Sequence, residues 1–266
     1  MKIIVSHDVD HLYRSDHFKD LIYPKLWVRS TIEFFRGEYG LKEWYSRMLS
    51  PFNKVRHHIG DVMNFDNEYS IPSTFFFGME NGLGMSYSLE NAKDVIIKVD
   101  ASGFDVGVHG IHYENYKEMI VEFNKFKALL SKSDFGIRMH YVRFNPNTFM
   151  NLDKCGYIFD TTEFDKTKGY LIKSPYKVGN MWEFPLTIMD GYLPHKFALK
   201  REKTINIIRE AEEKGLPFLT ILFHDYLFCD GYASERDWYK WAIQWLNGEK
   251  YEFISYRDAI RELEKG

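Results

Sequence analysis

The feature that most constrains the fold is an alternation of short apolar runs with longer amphipathic stretches. Residues 3–5, 74–77, 106–108, 158–159, 218–223 and 253–254 have the length and the aliphatic or aromatic content of buried strands. Residues 89–101, 116–130, 202–214, 235–246 and 256–264 carry apolar side chains at three- and four-residue intervals, the period of a helix packed on one face. Strand–helix–strand order implies right-handed crossovers and a mainly parallel sheet, either open and doubly wound or closed into a barrel. The pattern does not choose between the two. In both, functional groups gather at the carboxyl edge of the sheet, where strands end and loops begin.

Across 266 residues no Pro/Gly/Ser-rich or charge-block linker divides the chain, so one domain over 1–266 is expected. Hydrophobic residues make up 45%, enough apolar surface for a large core. Two regions break the alternation and are read as insertions beside the site mouth. After the first strand, about residues 12–69 form a helical insertion with aromatic-rich helices such as 21–35 and 41–48; residues 169–193 are a β-rich excursion punctuated by Gly and Pro.

A net charge of −3 without a basic run argues against a nucleic-acid partner. Cys155 and Cys229 lack the CxxC spacing of a zinc or redox motif and read as reduced thiols. The apolar stretch at Lys2 to Val5 is too short for a secretion signal, and no segment approaches eighteen continuous apolar residues. A cytoplasmic protein without a membrane span is expected, and the oligomeric state is left open.

Chemistry concentrates at the strand ends. The first strand runs into Ser6-His7-Asp8-Val9-Asp10-His11; on a continuing strand Asp8 and Asp10 share a face, so one can bind a cation while the other stays free. An isolated Asp-x-Asp more often caps a loop. The third strand delivers His109-Gly110-Ile111-His112, a pair that can face one metal across a tight turn. One Asp and two His make a facial ligand set with positions left for water and substrate, and two such strand ends in one chain weigh against coincidence.

A third end, 218–223, delivers His224, placed to protonate a leaving amine. The alternating segment Arg138-Met139-His140-Tyr141-Val142-Arg143 puts Arg138 and His140 on one face. Either Arg138 or Arg143 can fix a carboxylate, and spacing does not decide which. His7, His11, His140, Asp160, Glu183 and Asp190 are further candidates for supporting the ligands or binding substrate; His11, His140, Arg138 and Asp160 are the substrate-binding candidates.

These residues resemble the polysaccharide deacetylase family, also known as the NodB-homology or carbohydrate esterase type, and nearly the whole chain follows its motif order. Ser6 to Asp10 is similar to the first motif, Pro72 to Phe77 to the second strand, Ala101 to His109 to the approach to the histidine motif, and Arg143-Phe144-Asn145-Pro146 to the arginine motif. Cys155-Gly156-Tyr157 and Asp160-Thr161-Thr162 look like its following helix and strand, and Leu222-Phe223-His224 like its last motif. The resemblance implies an irregular (β/α)7 barrel. It makes Asp8 the catalytic base, Asp10, His109 and His112 the ligands of one divalent metal, His224 the catalytic acid and Arg143 the partner that keeps Asp8 ionised. Zinc is the expected metal, with cobalt, nickel or manganese as substitutes.

The sequence departs from the family in three places, one being the arginine motif, which lacks its second Pro. The metal histidines of the family are spaced four apart, whereas His109 and His112 are three apart, and His11 stands where Gly usually follows the first acids. The implied activity is metal-dependent removal of an N-acetyl or related acyl group from an amino-sugar-containing carbohydrate, with Trp27, Trp44 and Tyr45 available to stack on sugar rings. Two other readings share the motifs: a C–N hydrolase acting on a non-sugar amide, and a carbohydrate-binding protein whose catalytic site has decayed.

Overall fold

The computed structural model describes residues 1–18, 21–82 and 85–265. In chain order the elements are β1 (Lys2–Val9), α1 (Ile22–Phe35), α2 (Leu41–Leu49), α3 (Ile59–Glu68), β2 (Thr74–Phe77), α4 (Leu89–Ala101), β3 (Asp105–Gly110), α5 (Tyr116–Leu130), β4 (Ile137–Met139), α6 (Thr148–Cys155) and β5 (Phe159–Asp160). They continue as β6 (Tyr176–Val178), β7 (Met181–Glu183), β8 (Ile188–Met189), α7 (Phe197–Glu213), β9 (Phe218–Leu222), α8 (Ala233–Gly248) and α9 (Tyr256–Leu263). Among the described residues, no helix is long and apolar enough to cross a membrane.

The strands form one curled sheet in the order β6-β7-β5-β4-β3-β2-β1-β9-β8. Every neighbouring pair is parallel except β6 with β7. The mainly parallel architecture therefore agrees with the alternation. Residues 169–193 are a correction: β7 pairs with β5 and β8 with β9, so two of the three strands there belong to the parallel sheet rather than to an excursion. Strands of two or three residues are too short to show a period, which is why turn-rich punctuation dominated the reading of this stretch.

Because side chains alternate along a strand, β1 builds two different interiors. Ile3, Val5 and Val9 join Phe75, Phe77, Val106, Val108 and side chains of α4, α5, α7 and α8 in the larger core. Ile4 faces the other way, into a cluster with Phe76, Phe159, Phe184 and Phe218 that Tyr256 and Ala259 of α9 close. Gly107 makes this inner packing possible, since a Cβ there would lie 2.7 Å from the Phe76 ring and 2.8 Å from the Gly136 carbonyl oxygen. Above Ile4 on the same face come Ser6 and Asp8, so an apolar floor gives way to a polar site at the carboxyl end.

Among the described residues, the α-helices α1 to α3 lie between β1 and β2. The proposed insertion over about residues 12–69 includes residues 19 and 20, and the proposed domain includes residue 266; these lie outside the described residues. The run at 253–254 forms a single parallel bridge, Ile3 with Phe253, rather than a strand.

Candidate active site

At the carboxyl end of the sheet, Asp10, His109 and His140 each offer a ligand atom, and the three atoms lie within 4.8 Å of one another. Each residue arrives from a different segment. Asp10 follows β1, His109 lies in β3, and His140 follows β4 directly. His109 Nε2 and His140 Nδ1 are 3.0 Å apart, and each is 3.4 Å from Asp10 Oδ1. The second nitrogen of His109, Nδ1, lies 2.9 Å from the Arg138 carbonyl oxygen, which places the proton on Nδ1 and turns the Nε2 lone pair toward the cluster.

This donor set fits a divalent metal. Two imidazole nitrogens converge on one carboxylate oxygen, Asp10 Oδ1, that is buried and makes no hydrogen bond of its own. A buried acceptor left open against two nitrogens matches a cation's requirement, and two His with one Asp suit zinc with room for water and substrate. Burial alone would raise the Asp10 carboxyl, but the close imidazoles of His109 and His140, with the charge of His224, hold it well below the usual carboxylate range.

His112, expected as the third ligand, lies elsewhere. Its Nδ1 is 3.2 Å from Glu118 Oε2 on α5, and the place expected for it is taken by His140. The reason is geometric: β3 ends at Gly110 and the chain turns away, whereas sheet order puts β4 beside β3 with His109 and Arg138 in register. The alternation of Arg138 with His140 was the available signal, read as substrate binding rather than ligation.

Asp8 sits one pleat below Asp10 and is buried. Arg138, fully buried, donates from Nη1 to Asp8 Oδ1 at 2.8 Å and from Nη2 to Ser6 Oγ at 2.7 Å. Its Nε donates to the Thr161 carbonyl oxygen at 3.1 Å, and the guanidinium stacks 4.6 Å above the Phe76 ring. Burial pushes the Asp8 carboxyl up, and the charges of Arg138, His109 and His224 more than reverse it, so Asp8 is ionised. Asp8 Oδ2 lies 3.6 Å from His109 Nε2, on the side of the Asp10–His109–His140 cluster.

The expected partner of Asp8, Arg143, is therefore replaced by Arg138. Tyr141 and Val142 both take left-handed backbone conformations, φ 58° and 43°, and carry Arg143 off the line of β4. Arg143 lies 5.1 Å over Tyr113 and 5.8 Å over Tyr141, and its Nε donates to the His140 carbonyl oxygen at 3.3 Å. It supports the turn that presents His140. Two strained residues next to a candidate ligand fit the general concentration of strain at functional sites.

His224 completes the ring of groups. Its Nδ1 is 2.9 Å from Asp190 Oδ1, its backbone N–H donates to Asp190 Oδ2 at 2.6 Å, and Nε2 points toward Asp10 Oδ2, 3.8 Å away. Burial pulls the imidazole down, but Asp190, Asp10 and Asp8 more than compensate, lifting its pKa to about 10, so it carries a proton at neutral pH. Asp190 follows β8 at the same sheet edge, a strand end that the two-residue strand concealed.

The remaining candidates divide. His11 Nδ1 meets His17 Nε2 at 3.0 Å, and burial lowers its pKa to about 3, so it is neutral beside Asp10. Asp160 lies within the sheet, fully buried, accepting from Thr162 and facing Glu183 across the β5–β7 pair, with no access to a substrate. His7 points to the outer face, held by Asp66 and the Phe223 carbonyl oxygen. Trp44 packs against Phe34, and Trp27 donates to the Met48 carbonyl oxygen, so both serve the helical layer. The aromatic ring at the cluster itself is Tyr141, whose centroid is 3.9 Å from that of His140.

No family model and no curated protein matches this chain. Its fold is similar to that of a candidate polysaccharide deacetylase from Mycobacterium smegmatis, with a TM-score of 0.64 at 14% identity, covering 99% of this chain and 90% of that one. It is also similar to a GH57 branching enzyme from the hyperthermophilic archaeon Thermococcus kodakaraensis, at TM-score 0.54 and 9% identity over 98% of this chain and 71% of the other. At these identities the likeness establishes a shared fold. The molecule is an α/β protein of polysaccharide-deacetylase-like fold with a buried Asp–His–His cluster at the carboxyl edge of its sheet.

Proposed function

We propose that this chain is a member of the polysaccharide deacetylase family, a single catalytic domain on a (β/α)7-type barrel with α1 to α3 inserted after β1. Its reaction is the hydrolysis of an N-acetyl or related amide on an amino-sugar-containing carbohydrate. The observation that carries this reading is the convergence of Asp10, His109 and His140, with an arginine-held carboxylate on one side and a carboxylate-held imidazole on the other.

Asp10 Oδ1, His109 Nε2 and His140 Nδ1 would hold one divalent metal, zinc by its donor set, whose Lewis acidity polarises an amide carbonyl and makes water more acidic. Asp8 accepts the proton of the attacking water on Oδ2, since Oδ1 is engaged by Arg138. Arg138 keeps that carboxylate ionised and fixes its direction. His224, already protonated and held through Nδ1 by Asp190, delivers a proton from Nε2 to the departing nitrogen. Water and amide are converted to acetate and a free amine.

The test is acetate release from a panel of N-acetylated sugars. Asp8→Asn should lower turnover by about 10²–10⁴-fold, the usual contribution of a general base, while metal content is unchanged. Near-normal turnover in that variant would remove Asp8 from the role of base, and activity confined to small non-sugar amides would remove the carbohydrate.

A further inference from the structure

A surface helix ordinarily buries its apolar stripe and exposes its polar one. Helix α1 partly inverts this. Its buried side chains are Tyr23, Ser30 and Glu33, whereas Val28, Ile32 and Phe35 are exposed along one face, continuing from Leu21 just before it, and Phe35 is 81% exposed. Helix α2 repeats the inversion: its buried residue is Arg47, and Leu41, Tyr45 and Leu49 are exposed at four-residue intervals.

A polar network explains how the inward faces are satisfied. Arg47 donates to Glu33 at 3.0 Å and to Glu43 at 2.8 Å, and its guanidinium lies between the rings of Tyr39 and Tyr232 at 4.0 and 4.3 Å. Glu33 and Glu43 are thereby occupied on the inside. Four other cations face outward, Lys25, Arg36, Lys42 and Lys54, and a groove of about 570 Å³ along α1 is lined by Pro24, Val28 and Ile32 together with Lys25, Arg29, Arg36 and the acid Glu33.

Charge is segregated in the same way along the sequence. Residues 14–56 contain nine Lys and Arg against five Asp and Glu, a net +4; with −3 for the whole chain, the remainder carries −7. An exposed apolar stripe set among outward cations, on a chain that is otherwise acidic, calls for an apolar partner with negative charge at its surface. A second copy docking through the same face would bring like charges together. An anionic bilayer offers both acyl chains for the stripe and headgroup charge for the lysines and arginines.

We propose that the outer face of α1 and α2 is a peripheral docking surface for an anionic lipid bilayer. The inner face of the same layer lines a cavity of about 190 Å³ that ends on Asp190 and His224, with Arg29, Ser30, Glu33 and Arg47 on its wall. Docking thus sets the chain on the membrane by the layer that borders the candidate site. The surface is independent of the reaction proposed above and stands whether or not the substrate is a sugar.

The experiment is sedimentation of the full chain with vesicles of phosphatidylcholine, with and without phosphatidylglycerol. The expected result is binding to the anionic vesicles, roughly ten-fold weaker on neutral ones, and weakened by added salt. The Ile32→Ser/Phe35→Ser variant should stay in the supernatant while keeping the wild-type circular dichroism, because both side chains are already exposed. Lys25→Glu/Arg36→Glu, which leaves the apolar stripe intact, should also lose binding. A wild-type chain that ignores both vesicles, or binds both equally, overturns the proposal; so does concentration-dependent dimerisation abolished by the serine variant, which would assign the face to a second copy.

Discussion

Two arginines five positions apart differ in what they touch, and that difference predicts unequal consequences. Arg138 is fully buried and its donors reach Asp8, Ser6 and the Thr161 carbonyl oxygen. Replacing it by Met leaves the Asp8 carboxylate buried without its countercharge, an expected loss of about 3–5 kcal/mol in urea unfolding together with loss of acetate release. Arg143 is only part-buried, and among the described residues its side chain donates to the His140 carbonyl oxygen. Arg143→Met should cost about 1 kcal/mol and leave most of the activity. The opposite ranking would return Asp8 to Arg143. Sequence alone placed both arginines near the site, because an alternating strand was visible; the left-handed turn at Tyr141 and Val142 that separates their fates has no signal in residue type, since neither is Gly or Asn.

At the scale of elements, β5 and β7 face each other through Asp160 and Glu183, register partners that are both fully buried. One oxygen of each, Asp160 Oδ2 and Glu183 Oε2, has no hydrogen-bond donor, which two carboxyls resolve by sharing a proton. Burial is the main cause that lifts Asp160 to about 6, and burial with the charge of Asp160 raises Glu183 well above its ordinary value of 4.5. Acids whose folded pKa is raised bind more protons folded than unfolded. Their contribution to stability is complete below the unfolded values near 4 and is lost as pH rises through about 6 and beyond. Glu183→Gln removes the shared proton but keeps the hydrogen-bonding shape, so the melting temperature of the variant relative to wild type should climb between about pH 5 and about pH 8. Melts showing a constant difference across that range would exclude the shared proton. The elements themselves were unevenly legible. Helices α4 and α5 fall on their expected residues because an apolar period and a cap agree, Ser88 accepting from the Asn91 N–H and Asn115 from that of Lys117. β5 overlaps the apolar run expected at 158–159, but β8 is two residues long and carries no period, so Asp190 at its end could be named as a candidate but not placed beside His224.

For the whole molecule, the candidate metal cluster is a tie between distant parts of the chain, joining the ends of β1 and β3 to the segment after β4. Local sequence offered His112 as the partner of His109, because three residues of spacing is what a linear reading can measure. His140 is thirty-one residues away and reaches His109 only through the order in which the strands lie in the sheet. A ligand that binds the folded chain and not the unfolded one stabilises it by mass action, about 2.7 kcal/mol at a free concentration one hundred times Kd. For a chain of this size, that amounts to a rise in Tm of roughly 5–10 °C. Reloading the chelator-stripped protein with zinc should therefore raise Tm by that amount. His140→Ala should abolish the rise and the bound metal together, because it removes one of three converging donors, whereas His112→Ala should keep both, since the His112 ring pairs with Glu118. A zinc-dependent rise that survives in His140→Ala and disappears in His112→Ala would reverse the assignment and restore the local spacing as the true ligand pair.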